Sequence, residues 1–155
     1  MPIDLTLTVQ YGVAAPDLPR WRLRRWVIQA LEGALEDGME EANCVAYNLR
    51  WVGRAEGRQL NREYRGKDYA TNVLTFEYGS DPSGRTQSDI VICLPVLREE
   101  ARAQKKAFLE HAAHLTVHGC LHALGYDHID AQDTDAMEAL EARILARMGW
   151  PDPYL

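Results

Sequence analysis

Residues 111–128 read HAAHLTVHGCLHALGYDH. The run is almost without charge from His111 to Tyr126, so it reads as a helix that leans on other structure instead of facing water. Within it, His118 and His122 are four residues apart and project from one helical face about one turn from each other. Two imidazoles so placed reach a single ion. Gly125 can take the positive φ that ends a helix and reverses the chain, which lets His128 swing back as a third ligand. Three neutral imidazoles suit Zn2+, one ion per chain, and leave a fourth tetrahedral position open, as in catalytic rather than structural sites. His111 and His114 read on their own as ordinary core or surface histidines.

Working outward, the flanking elements set the fold class. A charged helical segment precedes the stretch, from beyond Pro95 through Lys106. A further helix follows, carrying Met137, Leu140, Ile144, Leu145 and Met148 and ended by Gly149 and Pro151. Nearer the N-terminus, Ile3, Leu5, Leu7 and Val9 alternate as in a half-buried strand, as do Val45, Tyr47, Leu49 and Trp51. Between them Leu23, Trp26, Val27, Ala30, Leu31 and Leu35 recur at helical spacing, with Pro19 suited to the start and Gly38 to the stop. Val73–Phe76 and Asp89–Cys93 read as two more strands, joined by the turn-rich loop 79–87, GSDPSGRTQ. The expectation is an α+β (α/β-like) fold in which a small mixed β-sheet of about four strands is covered by helices and the His-rich helix carries the metal site. Strand order is not legible in this pattern.

The 155 residues fit a single domain over 1–155 with a sizeable core. No apolar stretch approaches membrane-spanning length, and the start, MPIDLTLTVQ, lacks the pattern of a secretion signal. Cys44, Cys93 and Cys120 are odd in number, widely spaced and set in apolar contexts, which reads as reduced buried thiols and a cytoplasmic location. A net charge of −6 gives no bulk attraction to nucleic acid, so a polyanionic partner must meet a local basic face.

One such face is suggested by LNREYRGKDYATNVLTF at 60–76, where Arg62, Arg65 and Lys67 are interleaved with Tyr64 and Tyr69 just before a strand. Arg65 is the best candidate for an anion contact, because a guanidinium offers paired hydrogen bonds to phosphate oxygens. The competing reading is a solvated loop with surface arginines. Arg50, Arg54 and Arg58 precede it and could extend a basic strip. Arg20, Arg22, Arg24 and Arg25 cluster on a helix and read as its solvated face.

The histidine spacing also matches the H-E-x-x-H-x-x-G-x-x-H pattern of one zinc protease class, except that Gly119 stands where the glutamate base belongs. Without that base, water activation rests on the metal or on a group elsewhere in the chain, and peptide hydrolysis becomes the less favoured reaction. Asp127 reads either as an acceptor or base near His128 or as a turn residue.

Taken together, HGCLHALGYDH at 118–128, LNREYRGKDYATNVLTF at 60–76, SDIVICLP at 88–95 and AHLTVHG at 113–119 resemble the YbeY family of bacterial rRNA-maturation endoribonucleases, whose hallmark is H-G-x-L-H-x-x-G-Y-D-H. The motifs span roughly the second two-thirds of the chain, with Ser88 where the family commonly has glycine. The resemblance implies a metal-dependent, single-strand-selective endoribonuclease acting in 3′-end maturation of the small-subunit RNA and in ribosome quality control. Its implied partners are ribosomal RNA and the small subunit or its assembly factors, with no DNA and no membrane. Position by position, it implies His118, His122 and His128 as zinc ligands, Arg65 as a functional arginine, and His114 as a further family position. A zinc-dependent hydrolase of another substrate such as a peptide, or an assembly factor with a structural metal, are the rival readings.

Overall fold

The computed structural model describes residues 3–127 and 130–155. The alternation near the N-terminus forms strand β1, Asp4–Tyr11, with Leu5 and Val9 buried on one face and Thr6, Thr8 and Gln10 exposed on the other. Pro19 caps helix α1, Arg20–Glu36, which buries Leu23, Trp26, Val27, Ala30, Leu31 and Ala34 along one stripe. After a 3-10 turn at Glu40–Asn43, strand β2 (Cys44–Val52) runs parallel to β1, pairing Leu5 with Val45 and Val9 with Leu49. Parallel neighbours need a long return path, and α1 supplies it.

Helix α2, Arg54–Arg65, follows. The segment around Arg65, for which a solvated loop was the competing reading, is helical up to that residue, and the Gly66 N–H closes the last turn onto the Arg62 carbonyl at 3.1 Å. Strands β3 (Val73–Ser80) and β4 (Thr86–Cys93) pair antiparallel, while β4 pairs parallel with β2, giving the order β1-β2-β4-β3. The turn between β3 and β4 is shorter than the composition of 79–87 suggested. The ladder continues past an irregularity between Glu77 and Gly79 to the Ser80–Thr86 pair, and the Asp81 carboxylate accepts from the Ser83 and Arg85 N–H groups, both at 2.9 Å, organising a tight loop.

Helices α3 (Leu94–Ala103), α4 (Phe108–Ala123) and α5 (Ala131–Arg147) complete the order. The main core forms where α1, α4 and α5 cover one face of the sheet, around Val27, Leu49, Ile90, Leu121 and Met137. The opposite face has only a small cluster of Val52, Leu74, Val91 and Cys93, against which Leu60 and Val96 pack. The expected α+β architecture with a four-stranded mixed sheet is observed.

Cys44, Cys93 and Cys120 form no disulfide; Cys93 and Cys120 are buried as expected, whereas Cys44, at the start of β2, is only partly so. No helix among the described residues is long and apolar enough to cross a membrane. Arg50, Arg54 and Arg58 do not make a free basic strip: Glu56, Glu99 and Asp68 take them at 2.7, 2.7 and 2.8 Å. On α1, Arg20 and Arg24 reach the carbonyls of Val9 and Leu5 and Arg22 that of Asp17.

Candidate active site

Helix α4 lies against the β3–β4 half of the sheet because residue 119 is glycine. A Cβ there would stand 2.7 Å from Ile90 Cγ2 and 3.4 Å from Val73 Cγ1. Any side chain at 119 points into the sheet, so a glutamate base of the protease type has no room. The same close approach sets His118 and His122 at the edge strand β3. Their ring centroids are 5.0 Å apart, and both rings line a cleft of about 270 Å³ with Arg65, Asn72, Val73, Leu74 and Thr75.

Arg65 enters that cleft from the last turn of α2. Its Nη1 lies 3.4 Å from Asn61 Oδ1, and Asn61 is fully buried and donates to the Tyr69 carbonyl at 2.7 Å. The C-terminal turn of α2 is thereby anchored beneath the guanidinium. Asn72 holds the cleft's other wall: its side-chain oxygen accepts from the Val73 N–H at 2.7 Å, and its amide donates to both Glu100 oxygens at 3.2 Å.

Behind the histidines lies Glu141 of α5, with no exposed surface. His118 Nδ1 approaches its Oε1 at 2.8 Å, His114 Nε2 approaches the same atom at 3.3 Å, and the Tyr154 hydroxyl donates to Oε2 at 2.6 Å. Burial pulls the Glu141 carboxyl upward, but the hydrogen bonds from His114, His118 and Tyr154 outweigh it and bring the group down to about 2. Glu141 is thus ionised at neutral pH and only accepts. With an ionised acceptor at Nδ1, that nitrogen carries the proton, and in this tautomer the ring's lone pair is on Nε2. Burial, then Glu141, pushes the Tyr154 phenol well above its usual value.

His114 turns towards Glu141 and Tyr154, 3.1 Å from the tyrosine hydroxyl, and is not among the residues lining the cleft. His111 is bonded to Glu100 at 2.9 Å. Gly125 has φ +103°, as the reversal after α4 required, and Asp127 follows on the loop that this turn begins. His128 lies outside the described residues. Among the described residues, no group of three His, Cys, Asp or Glu side chains forms a metal-holding cluster. The two imidazoles on one helical face, one of them fixed by a buried carboxylate, fit a divalent transition metal as partial ligands.

The sequence reading missed Glu141, Tyr154 and Asn72. Glu141 left a signal: it is a charged residue on the stripe of Met137, Leu140, Ile144 and Leu145 that α5 buries, and a charge on a buried stripe needs partners.

A sequence model described as Endoribonuclease YbeY matches residues 14–149. The chain belongs to the YbeY endoribonuclease family. It is 64% identical over 151 residues to the Endoribonuclease YbeY of Bordetella avium, covering 97% of this chain and 94% of that one. The protein of the same name from Bordetella pertussis is 64% identical over 155 residues, covering 100% and 99%. That of Burkholderia pseudomallei is 49% identical over 154 residues, covering 97% and 80%. The likeness to YbeY proteins thus extends into the N-terminal third, where motifs alone showed only a coarse pattern. The solution structure of TM1509 from Thermotoga maritima superposes with a TM-score of 0.58 at 22% identity, covering 93% of this chain and 92% of that one, and supports the fold.

Proposed function

We propose that this single-domain protein is a Zn2+-dependent, single-strand-selective endoribonuclease that acts in 3′-end maturation of small-subunit ribosomal RNA and in ribosome quality control. The observation that carries the reading is the convergence of Arg65 with His118 and His122 on one cleft. A guanidinium and metal-ligating imidazoles facing the same space suit a phosphodiester, whose negative charge a guanidinium binds through paired hydrogen bonds.

In this reading His118, His122 and His128 hold one zinc ion per chain. Zinc supplies Lewis acidity, which draws charge from a phosphoryl oxygen and lowers the pKa of water to about 7. Glu141 holds His118 in the tautomer that presents Nε2 to the cleft. Arg65 binds the non-bridging oxygens of the scissile phosphate and stabilises the charge that grows there. Asp127 moves a proton, and His114 acts through its contact with Glu141. Attack by water leaves a 5′-phosphate and a 3′-hydroxyl, whereas attack by the RNA 2′-hydroxyl leaves a cyclic phosphate. The family relatives, the three unpaired thiols and the ribosomal substrate together favour the cytoplasm, with ribosomal RNA, the small subunit and its assembly factors as partners. The Gly119–Ile90 contact disfavours a peptidase.

The test is cleavage of a single-stranded fragment from the 3′ region of small-subunit RNA, beside a duplex of the same sequence, by zinc-loaded wild type, His118→Ala and Arg65→Ala. The single strand should be cut and the duplex spared. His118→Ala should lose metal and activity, and Arg65→Ala should keep metal and lose about 100-fold or more in rate. Full activity in Arg65→Ala with metal retained sinks the proposed anion role. Loss of folding without loss of turnover per folded molecule in His118→Ala would instead assign the metal a structural part.

A further inference from the structure

The second face of the sheet is unusual for strands that run parallel, since such strands are normally covered on both sides. Here Thr6, Thr8 and Gln10 of β1 are exposed. Beside them, α2 and the β2–β4–β3 strands enclose an open hollow of about 360 Å³ that includes Asn48, Arg50, Tyr64, Phe76, Tyr78 and Asp89. Its walls are aromatic. Tyr64 and Tyr78 are 65% and 59% exposed, and the Tyr64 ring meets Phe76 edge-on with centroids 5.0 Å apart.

The floor is rich in acceptors. Asn48 and Asp89 are directly opposed across β2 and β4. The Asn48 side-chain oxygen is buried with no hydrogen-bond partner, while Asp89 Oδ2 accepts from the Tyr78 hydroxyl at 2.8 Å. Arg50 is clamped by Glu56 at 2.7 and 2.9 Å, so the hollow offers little to a phosphate. It suits a flat ring that stacks on tyrosine and donates N–H groups.

The hollow and the candidate active site are bordered by the same two elements, α2 and the edge strand β3. Consecutive residues at the end of α2 divide between them, Tyr64 lining the hollow and Arg65 the cleft. On β3, Thr75 lines the cleft and its neighbour Phe76 the hollow, because alternate side chains point to opposite faces. A chain passing over the β3 edge meets both.

We propose that this hollow is a nucleobase subsite. It holds a base of the RNA strand whose phosphate lies at Arg65, stacks it on Tyr64 and Tyr78, and favours guanine. Guanine carries N1–H and N2–H side by side on its Watson–Crick edge, a donor pair that a carboxylate accepts, whereas uracil offers one N–H. The proposal rests on the ribonuclease reading of the cleft.

The test measures binding of fluorescein-labelled, 2′-O-methylated single-stranded decamers, one containing guanosines and one all uridine, to zinc-loaded protein by anisotropy. Cleavage of the unmodified strands is followed in parallel. Tyr64→Ala and Tyr78→Ala should each bind the guanosine strand about 10-fold more weakly, the effect expected of one lost stacking partner. Both residues are exposed, so melting temperature should hold. Tyr78→Phe should bind like wild type, and Asp89→Asn should erase the preference for guanosine. If wild type cleaves RNA, Arg65→Ala does not, and the tyrosine variants bind as wild type does, the subsite is overturned and the cleft reading stands. A face that serves a protein partner gives that same result. If wild type neither binds nor cleaves RNA, both readings fall.

Discussion

His118 donates a hydrogen bond from Nδ1 to Glu141, a carboxylate 2.8 Å away on another helix and wholly shielded from water. The pair ties α4 to α5 and fixes the imidazole's tautomer and rotation together. An acceptor behind a ligating histidine raises its basicity and removes the entropy it would lose on binding metal. Glu141→Ala should weaken zinc affinity by about 10- to 100-fold, the usual cost of losing such a partner. Glu141→Gln retains an acceptor oxygen and should fall between that variant and wild type. Competition with a chromogenic chelator checks both, and equal affinity in all three proteins would refute the positioning role.

Gly119 makes a prediction about packing. Its absent Cβ would lie 2.7 Å from Ile90 Cγ2, and the branched side chain of a strand residue has few rotamers to retreat into. Gly119→Ala should cost about 1–3 kcal/mol despite alanine's better helix propensity. Ile90→Ala removes the opposing methyl, so the double variant should be more stable than the sum of the two single losses predicts. Urea unfolding of the four proteins reads the coupling; strict additivity would show that the two residues do not meet.

These residues also mark what the sequence could reveal. Four-residue spacing on a helix is a property of the chain alone, so the convergence of His118 and His122 was legible, as was the positive φ of Gly125. Period-two alternation likewise gave the strands, but their order depends on packing between distant segments and left no local trace. Arg65 was ambiguous because a basic segment reads alike in a loop and at a helix end; the end of α2 at Arg65, capped by Gly66 over the buried Asn61, belongs to the tertiary structure. Glu141 was hidden by distance, since its partners His114 and His118 are 27 and 23 residues away. Gly119 was noticed as a missing base, yet its physical cause, contact with Ile90, belongs to the tertiary structure.

A dependence on pH follows from Glu100. The hydrogen bond from His111, with that from Asn72, holds its carboxyl below the ordinary glutamate value of about 4.5 against the opposing effect of burial. A carboxyl with a lowered folded-state pKa stabilises the fold above its unfolded value, and this contribution is lost as pH falls through the folded value. Wild type should therefore exceed Glu100→Gln in stability by a constant margin at neutral pH, and the margin should close as pH drops below about 4.5. Denaturant titrations at a series of pH values measure it. A margin that widened on acidification would contradict the assignment.

Metal binding should appear in stability as well as in turnover. A ligand that binds only the folded state at 1,000 times its Kd adds about 4 kcal/mol, which for a chain of this size raises Tm by about 10 °C. Excess zinc should do so for wild type. It should do so for Arg65→Ala too, and far less for His122→Ala, whose ring lines the cleft. Calorimetric scans with zinc and with a chelator separate these outcomes; equal shifts in wild type and His122→Ala would place the ion elsewhere.

Arg65→Lys distinguishes charge from geometry at the same point. Lysine keeps the positive charge but is a single compact donor on a flexible stem, while arginine presents a rigid planar fork that meets two phosphate oxygens at once. If Arg65 only attracts RNA to an acidic protein, Arg65→Lys should cleave at nearly the wild-type rate. If it stabilises charge growing on the phosphate, the lysine variant should lose rate at saturating substrate, with KM little changed, because the missing interaction strengthens during the reaction. The placement of the guanidinium beside His118 and His122 at a shared cleft favours the second result. Single-turnover rates of wild type, Arg65→Lys and Arg65→Ala on one single-stranded substrate provide the measurement, with a loss of about 10-fold or more for lysine expected if one of two hydrogen bonds is forfeited.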